Sequence, residues 1–488
     1  MRISRRLAVA FLGLIVLAGS GCGSTTPVDP GDGNGDGRLP AGFMPGVEFA
    51  TDSPGMDLTA VDVDGNGRLD LIIPLLGGGV KVVYNMSVPG LIEFDAGHPK
   101  EDTERSLLDA AVADYNDDDR ADLFTLDNAG YLEIRLQDEQ GVFNLLGRYP
   151  TEGTQLCVDR VNSSDDTLDV LLASDRWRDM LAVYQIPDGG GVDPDDGSPG
   201  GIPGWRDQPS SSQYREMKLT DFEGNGLMDA VLADELDHSL QVFTHIELPL
   251  GDLVNNPETG EPEEPQPGVF YGYQAACYEY SICDLPTPGP MDDPHNATPL
   301  RLASGDIDHD GLTDVAALCS YFGGMPEQPW YTTSPSQTLA VPLTMIWLLE
   351  STIIEYDPLY DWTTDDTAPR TATLTARTGL TFPNLIQDVK LVDVDRDGEL
   401  DVLGCCDGSG GGGFSFFYFP GLGDFQFSAP LGFTVAAPPF RLVAEDFDGD
   451  EYVDVAVLLP TLNAITVFRN DADTGLGEGG TQYVFLEE

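Results

Sequence analysis

Six short acidic segments recur along the chain, each with oxygen-bearing side chains at alternate positions. In the first segment these are Asp62, Asp64, Asn66 and the closing Asp70, and glycines flank Asn66. Hard divalent cations prefer oxygen ligands, and calcium accepts six to eight of them at flexible geometry. Glycine at position six permits a sharp turn, because it adopts positive φ at little cost. The pattern therefore predicts a calcium-binding loop.

In all six segments, positions one, three, five and nine carry a carboxylate or an amide. We predict that these side chains and the backbone carbonyl of position seven hold the ion. The predicted ligands are Asp62, Asp64, Asn66, Arg68 and Asp70; Asp114, Asn116, Asp118, Arg120 and Asp122; Asp221, Glu223, Asn225, Leu227 and Asp229; Asp306, Asp308, Asp310, Leu312 and Asp314; Asp393, Asp395, Asp397, Glu399 and Asp401; Asp446, Asp448, Asp450, Tyr452 and Asp454. A seventh segment, residues 159–169, contains two additional residues that break this spacing. About six Ca²⁺ sites are expected.

Each acidic segment is followed by an apolar or β-branched run, which is typical of a strand. The first unit has predicted strands at residues 58–61, 71–74, 81–85 and 91–94, with a glycine-rich turn at 77–79. Four such strands form one antiparallel sheet, and units of about fifty residues bury their faces only against their neighbours. The sequence predicts an all-β fold, a seven-bladed β-propeller of four-stranded blades with calcium loops between strands.

These loops resemble the calcium motifs of FG-GAP or VCBS repeats, the units of integrin-α-like β-propellers. The resemblance covers nearly the whole chain after the leader, and Phe322-Gly323 is the nearest remnant of the signature that names the family. The resemblance implies protein or glycan ligands that are bound by loops on one face of the propeller. It also implies a role in adhesion or binding.

Residues 46–50 resemble a final strand without its own loop, and we expect them to pair with the last unit and close the ring. Residues 483–485 compete for the same place. Three stretches exceed the repeat plan, at residues 187–210, 251–295 and 320–385. Long loops on a repeat scaffold often carry recognition surfaces, although neutral insertion is the alternative.

The charge balance is extreme, with 83 acidic residues against 24 basic ones and a net charge of −59. Such a charge opposes binding to nucleic acid or to an anionic membrane surface. It suits divalent cations and a solvated extracellular surface.

The N-terminus is typical of an export signal, with a basic start and a twelve-residue apolar run at residues 7–18. The segment that ends at Cys22 resembles a bacterial lipoprotein box, which predicts a signal peptide at residues 1–21 and lipidation of Cys22. Residues 22–45, rich in Gly, Pro and Asp, are predicted to form a flexible tether to the propeller at residues 46–488. The expected location is the bacterial outer membrane or cell surface, with membrane contact only through the lipid. Cleavage without lipidation is the alternative.

Cysteine usage fits an exported protein. Cys277 and Cys283 enclose a short loop and form the candidate disulfide. The adjacent Cys405 and Cys406 could bond to each other or to Cys319, because connectivity does not follow from sequence.

No nucleophile elbow or zinc-protease motif is present, and the five histidines are scattered. We therefore predict a non-enzymatic calcium-binding surface protein. One alternative is a calcium-dependent polysaccharide lyase or hydrolase that uses the propeller cleft, which would require a unique Lys, Arg, Tyr or His cluster at the axis. The other is a structural envelope protein with no specific ligand.

Overall fold

The protein is all-β in the residues that the computed structural model describes. These are residues 43–44, 46–51, 53–95, 105–116, 118–150, 155–159, 169–173, 181–185, 214–222, 229–235, 239–243, 278–281, 297–321, 343–353, 372–382, 384–408, 415–470 and 483–484. Within them, no helix is long and apolar enough to cross a membrane. Strands dominate, together with one 3-10 turn, Pro460–Leu462.

The strands, in chain order, are β1 (Val47–Ala50), β2 (Thr59–Val61), β3 (Asp70–Pro74), β4 (Val80–Asn85), β5 (Phe94–Asp95), β6 (Leu107–Ala113), β7 (Asp122–Asp127), β8 (Tyr131–Gln137), β9 (Phe143–Pro150), β10 (Gln155–Asp159), β11 (Asp169–Ala173), β12 (Leu181–Gln185), β13 (Tyr214–Thr220), β14 (Asp229–Asp234), β15 (Ser239–Phe243), β16 (Tyr278–Ser281), β17 (Ala297–Gly305), β18 (Asp314–Tyr321), β19 (Leu343–Ile353), β20 (Ala372–Thr381), β21 (Ile386–Val392), β22 (Asp401–Cys406), β23 (Ser415–Phe419), β24 (Leu431–Thr434), β25 (Arg441–Glu445), β26 (Asp454–Leu459), β27 (Ala464–Phe468) and β28 (Tyr483–Val484).

Each sheet is antiparallel and consists of three or four strands that follow one another in sequence, with one distant strand added in two sheets. Sheets 1, 2, 4 and 5 are β2–β5, β6–β9, β13–β16 and β17–β20. Sheet 6 is β21–β24 with β28 added, sheet 7 is β25–β27 with β1 added, and sheet 3 is β10–β12. Six sheets therefore have at least four strands, and the fold is a β-propeller of four-stranded antiparallel blades. The prediction of seven such blades is wrong, because only three strands are described in sheet 3.

The first strands of sheets 2 to 7 contact one another in chain order, from β6 through β10, β13, β17 and β21 to β25. Sheet 1 closes the series, because β2 contacts β25 and β3 contacts β6. A sheet in such a ring is covered on both faces by its neighbours. That arrangement explains why the second strand of a unit is a continuous apolar run instead of an alternating one.

Strand β3 illustrates this two-sided burial, since all five of its residues are buried. Leu71 and Ile73 pack against Leu458 of sheet 7, whereas Ile72 packs with Leu123 of sheet 2. Side chains alternate between the faces of a strand, so one short run supplies two interfaces. Burial of each such side chain contributes about 1.5–3 kcal/mol.

The N-terminal strand closes the ring as expected. Strand β1 pairs antiparallel with β27 of sheet 7, with Val47 opposite Val467 and Ala50 opposite Ala464. The C-terminal strand β28 does not join this sheet, because it pairs with β24 of sheet 6. Of the two segments expected to compete for the closing position, β1 therefore occupies it and β28 does not.

Other sequence-predicted strands lie close to the observed ones. The third strand of the first unit, β4, matches its predicted residues 81–85 closely. The fourth strand of the first unit is shorter than predicted, because Val88 and Leu91 pair across a tight turn before β5 begins at Phe94. Within residues 320–385, β19 and β20 are the third and fourth strands of sheet 5.

Candidate metal-binding loops

The acidic segments connect the first and second strands of their sheets, as β2 to β3 and β25 to β26 illustrate. We call these connections the acidic loops. Since they join equivalent strands of successive sheets, they lie along one rim of the propeller. Contacts between loops confirm this, because His309 Nε2 lies 3.1 Å from Glu399 Oε2 and Arg396 Nη2 lies 3.2 Å from Glu451 Oε2 of the following loop.

The first loop is held by hydrogen bonds from its own backbone to its acidic side chains. Asp62 accepts the N–H groups of Asn66 (3.1 Å) and Gly67 (2.7 Å). Asp64 accepts a second bond from the N–H of Asn66 (3.1 Å), and Asn66 Oδ1 accepts the N–H of Arg68 (2.9 Å). Short polar side chains that bond to the backbone a few residues later stabilise tight turns. These bonds turn the first three predicted side-chain ligands towards the inside of the loop.

In the four loops where both residues are described, positions four and six have left-handed backbone. In the first loop both are glycine, Gly65 (φ 72°) and Gly67 (φ 82°). Other loops place a non-glycine residue at one of them, as His309 (φ 61°) and Arg396 (φ 60°) at position four show. The left-handed region costs a non-glycine residue about 1–2 kcal/mol.

Position nine anchors the loop to its sheet. Asp70 Oδ2 accepts the N–H of Val63 (2.9 Å), and its Oδ1 accepts the N–H of Asn85 on the third strand (2.6 Å). The same pair of bonds is made by Asp122, Asp314, Asp401 and Asp454. Each carboxylate oxygen has two lone pairs, so these bonds leave acceptor capacity for a cation.

Burial makes ionisation of the position-nine carboxyls unfavourable. It raises the pKa of Asp70 to about 6, that of Asp314 to about 7, and those of Asp401 and Asp454 to about 8. The backbone hydrogen bonds oppose this effect, whereas the other loop carboxylates add to it. A nearby cation favours the ionised form of such groups.

Four of the loops bring three carboxylates together, with one oxygen from each within 4.8 Å of the others. The groups combine positions one, three and nine: Asp62, Asp64 and Asp70; Asp306, Asp308 and Asp314; Asp393, Asp395 and Asp401; Asp446, Asp448 and Asp454. In the second of these groups, Asp306 Oδ1 is buried and has no hydrogen-bond partner. A buried acceptor without a partner is costly, and a cation ligated there would satisfy it. The donor set and this unmet acceptor fit a hard cation such as Ca²⁺.

The second loop differs from these four. It has Asn116 at position three, and the guanidinium of Arg120 pairs with the Asp118 carboxylate at position five. Arg120 Nε also donates to the carbonyl of Gln137 (3.1 Å), which fixes the guanidinium beside the loop. A cation in this loop would have to compete with Arg120 for Asp118.

The remaining segments are described in part. In the third intact loop, Asp229 Oδ2 accepts the N–H of Phe222 (2.9 Å), and the predicted ligands Glu223, Asn225 and Leu227 lie outside the described residues. In the irregular segment of sheet 3, Asp159 and Asp169 are directly opposed at the ends of β10 and β11.

Neighbouring loops are linked by side-chain amides. Asn85 Nδ2 donates to the carbonyl of Phe447 (2.8 Å) in the loop of the preceding sheet, and Gln137 Nε2 donates to Val63 O (3.1 Å). Asn470 Nδ2 donates in the same way to Val394 O (2.9 Å). These amides follow the third strands, whose backbone also binds the position-nine carboxylate. Each such link therefore connects an acidic loop with the next sheet of the ring.

A cavity of about 780 Å³ lies at the centre of the ring, and none of its lining residues is among the predicted site residues. Its lining includes the cations Lys218, Arg301, Lys390 and Arg441. A sequence signal for this lining exists, because a charged residue stands five positions before the first residue of all six regular acidic loops. These residues are Asp57, Asp109, Glu216, Arg301, Asp388 and Arg441.

The remaining predicted site residues do not lie in these loops. Cys22, Cys277 and Cys283 lie outside the described residues. Cys319, Cys405 and Cys406 form no disulfide. The adjacent Cys405 and Cys406 lie on opposite faces of β22, since Cys405 packs with Leu403 and Cys406 packs with Val402 of a different core cluster.

Residues 393–457, which contain two acidic loops, match the family model of the FG-GAP-like repeat. This match and the propeller fold support an FG-GAP β-propeller. Two crystal structures of BBS1N in complex with ARL6DN are similar to the chain. The one soaked with mercury is 10% identical with a TM-score of 0.48 over 90% of this chain and 99% of that one. The one soaked with lead is 8% identical with a TM-score of 0.48 over 88% and 97%. No curated protein sequence matches the chain.

Proposed function

We propose that the protein is a non-enzymatic calcium-binding surface protein, an integrin-α-like propeller that acts in adhesion or in protein or glycan binding. The proposal rests on the same cluster of three carboxylates, which recurs in four loops on one rim of the propeller. Acidic side chains that served only solubility would be dispersed, because like charges repel at short range.

Bound Ca²⁺ would supply positive charge that offsets the repulsion among the three carboxylates of each loop. In the proposal, Asp306, Asp308 and Asp314 and their counterparts hold the ion, with Asp310 at position five and the Leu312 carbonyl at position seven. Position nine then connects the ion to the third strand, and the side-chain amide of the next sheet connects the loop to its neighbour. Ligation therefore stabilises the ring, because the assembled ligand set exists only in the folded protein.

We propose that the protein lies outside the cell. The apolar run at residues 7–18 and Cys22 support export and lipid anchoring at the bacterial surface. An acidic rim saturated with calcium would present fixed charges and loops to a ligand. Labelling with a palmitate analogue tests the anchor, and an unlabelled protein recovered in the soluble fraction would exclude it.

Thermal melting with calcium titrated against EDTA tests the loops. A single site at one hundred times its dissociation constant stabilises by about 2.7 kcal/mol, so several sites should raise the melting temperature clearly. Asp308→Ala should reduce the calcium-dependent increase, whereas Asp424→Ala, at an exposed position outside the loops, should not. A melting temperature that ignores both calcium and chelator would refute calcium binding.

Binding to glycan arrays and pull-down of surface proteins, each with and without chelator, test the adhesion role. Calcium-dependent capture by the wild-type chain and reduced capture by Asp308→Ala would support it. A calcium-stabilised protein that captures nothing would instead support a structural envelope role.

One observation favours a second candidate function, a polysaccharide-active enzyme that uses the central cleft. Lys218, Arg301, Lys390 and Arg441 converge at the axis, away from the acidic loops. The described cavity lining contains neither histidine nor tyrosine, so the cluster meets only part of the requirement for such an enzyme. Incubation with acidic polysaccharides tests this candidate, and product release that Lys218→Gln abolishes would establish it.

A further inference from the structure

The central cavity is built by the first strands of all seven sheets. Residues of β2, β6, β10 and β13 line it together with Arg301 on β17, Lys390 on β21 and Arg441 on β25. A volume of about 780 Å³ lies within the usual range of small-molecule sites. The cavity is separate from the acidic loops, since its lining includes none of their predicted ligands.

Most of the acidic residues that line the cavity have a structural role that the fold explains. Asp109 Oδ2 accepts the N–H of Leu156 on the next first strand (2.8 Å). Glu216 Oε2 accepts the N–H of Leu302 (3.1 Å). Asp388 Oδ2 likewise accepts the N–H of Leu442 (3.0 Å). Register shifts at Asp109, Glu216 and Asp388 reorient these side chains towards the neighbouring sheet.

The basic residues are not required for that role. Arg301 and Arg441 occupy the same register as the acids, and Lys218 and Lys390 lie two residues beyond it. With Arg215 at the cavity wall, they account for five of the 24 basic residues of a chain with a net charge of −59. The lining also carries four carboxylates, Asp57, Asp109, Glu216 and Asp388, so the five cations leave it slightly positive within a strongly negative chain.

Three of the cations pair with carboxylates of the cavity wall. Arg441 Nε lies 3.2 Å from Asp57 Oδ1, Lys390 Nζ lies 3.5 Å from Asp388 Oδ2, and Lys218 Nζ lies 3.2 Å from Glu216 Oε1. Each head group retains further N–H donors, because lysine has three and arginine has five.

Arg301 has the clearest unmet donor of the four. Its Nε is buried and has no hydrogen-bond partner. The carboxylate oxygen of its ion pair, Glu216 Oε2, lies 3.9 Å away, which is too far for a hydrogen bond. Burial lowers the pKa of Arg301, and the nearby positive charge of Arg441 lowers it further. An anion between the two guanidinium groups would satisfy the donor and relieve the repulsion.

We propose that the central cavity binds a small organic anion whose carboxylate or phosphate oxygens are recognised by Arg301, Arg441 and Lys390. Guanidinium groups suit this chemistry, because their planar donors match the geometry of both oxyanions. Lys218, on the facing wall, contacts the same ligand or sets its orientation. This site does not depend on calcium in the acidic loops.

Isothermal titration of the full chain at low ionic strength tests the site, with succinate, galacturonate, inorganic phosphate and neutral galactose as probes. At least one anion should bind in preference to galactose. The carboxylate and phosphate arms then identify which oxyanion is preferred. Absence of binding by every anion, or equal binding of galactose, would overturn the proposal.

Variants assign the binding to the cavity. Lys390→Gln, whose side chain is partly exposed, should fold and weaken anion binding by at least about tenfold, as loss of a charged hydrogen bond implies. Arg301→Gln should act in the same direction. Arg377→Gln, which removes a cation that pairs with Glu350 outside the cavity, should bind as the wild type does. Equal weakening in Lys390→Gln and Arg377→Gln would show a general charge effect and refute the site. Asp308→Ala should retain anion binding, which separates this test from that of the loops.

Discussion

At the scale of single residues, the acidic loops tolerate backbone strain where glycine is absent. Glu451 occupies position six of the last loop with φ 72°, and its N–H donates to Asp446 Oδ2 (2.8 Å). Its exposed side chain makes only a surface ion pair with Arg396, and such pairs contribute little. The left-handed conformation of Glu451 therefore destabilises the fold by more than its ion pair stabilises it.

We predict that Glu451→Gly stabilises the protein by about 0.5–1 kcal/mol, because relief of the left-handed strain exceeds the added entropy cost of glycine. The reciprocal change Gly398→Glu, at φ 93° in the preceding loop, should destabilise it by about 1–2 kcal/mol. Urea denaturation measures both changes. Destabilisation in both variants would show that the Glu451 side chain matters more than its backbone.

A second residue-scale prediction concerns Asp109 in the cavity wall. Burial raises its pKa to about 7, the charge of Asp57 adds to the increase, and Lys218 opposes it. An unfolded aspartate has a pKa of about 3.9, so between pH 4 and 7 the folded state binds more protons at this group. Its contribution to the free energy of unfolding consequently falls as pH rises through that window.

Asp109→Asn should remove this contribution, so the pH dependence of stability changes by up to about 1.4 kcal/mol per pH unit between pH 4 and 7. The variant should gain stability relative to the wild type as pH rises. Asp424→Asn, on the exposed surface, should follow the wild-type curve. Parallel curves for Asp109→Asn and the wild type would contradict the assignment.

At the scale of elements, the acidic loops share one backbone framework but differ in how their side chains are paired. Three carboxylates converge in the first loop, whereas Arg120 already neutralises Asp118 in the second. We predict that Arg120→Ala increases the calcium-dependent rise in melting temperature, because Asp118 becomes available to the ion. Arg68→Ala, at the equivalent position of the first loop, should leave that increase unchanged. An equal response of the two variants would show that Arg120 does not compete with calcium.

Local elements were largely predictable from sequence, because loop spacing and strand composition are short-range signals. Loop positions and the buried second strands follow from the residues themselves, whereas the closing position stays open between residues 46–50 and 483–485. The pairing of β28 with β24 does not follow from the residues, because a two-residue strand carries no information about which sheet edge it joins. The spacing predicts only a carbonyl role for Arg120, because its side-chain contact with Asp118 depends on geometry that spacing does not contain.

The central cavity illustrates the same limit over a longer range. A charged residue five positions before each regular acidic loop is visible in the sequence, for example Glu216 and Arg301. That these residues line one cavity becomes evident only from the ring, which brings successive first strands together around one axis. Only then do residues 85 positions apart become partners across a sheet boundary, as these two are.

At the scale of the whole molecule, closure of the ring depends on residues at opposite ends of the chain. Strand β1 lies on β27, and Phe43 packs between Phe416 and Phe433 of sheet 6 at 5.1 and 5.0 Å between ring centroids. The N-terminal segment thereby contacts two sheets. A ring closed in this way loses the packing at a sheet boundary if its closing strand detaches, so stability should be sensitive to small changes at β1.

Gly46, at the entrance to β1, provides the test. A Cβ at this position would lie 2.3 Å from Thr466 Cγ2 and 2.9 Å from the ring of Phe468. We predict that Gly46→Ala lowers stability by about 1–3 kcal/mol, as overpacking of a tight site usually does. Gly77→Ala is a matched control, because its nearest neighbour, Ser53 Oγ, lies at 3.9 Å, and it should have little effect.

A double variant distinguishes steric displacement of β1 from a general cost of alanine. Thr466→Ser removes the Cγ2 methyl group that the new Cβ would meet, so Gly46→Ala combined with Thr466→Ser should lose less stability than the sum of the two single changes. Thermal melting of the four proteins measures this coupling. Strict additivity would mean that the clash is relieved elsewhere, and β1 would then not be held tightly against β27. A positive coupling would show that the first strand of the chain fastens the last sheet, and with it the acidic rim and the central cavity that the ring encloses.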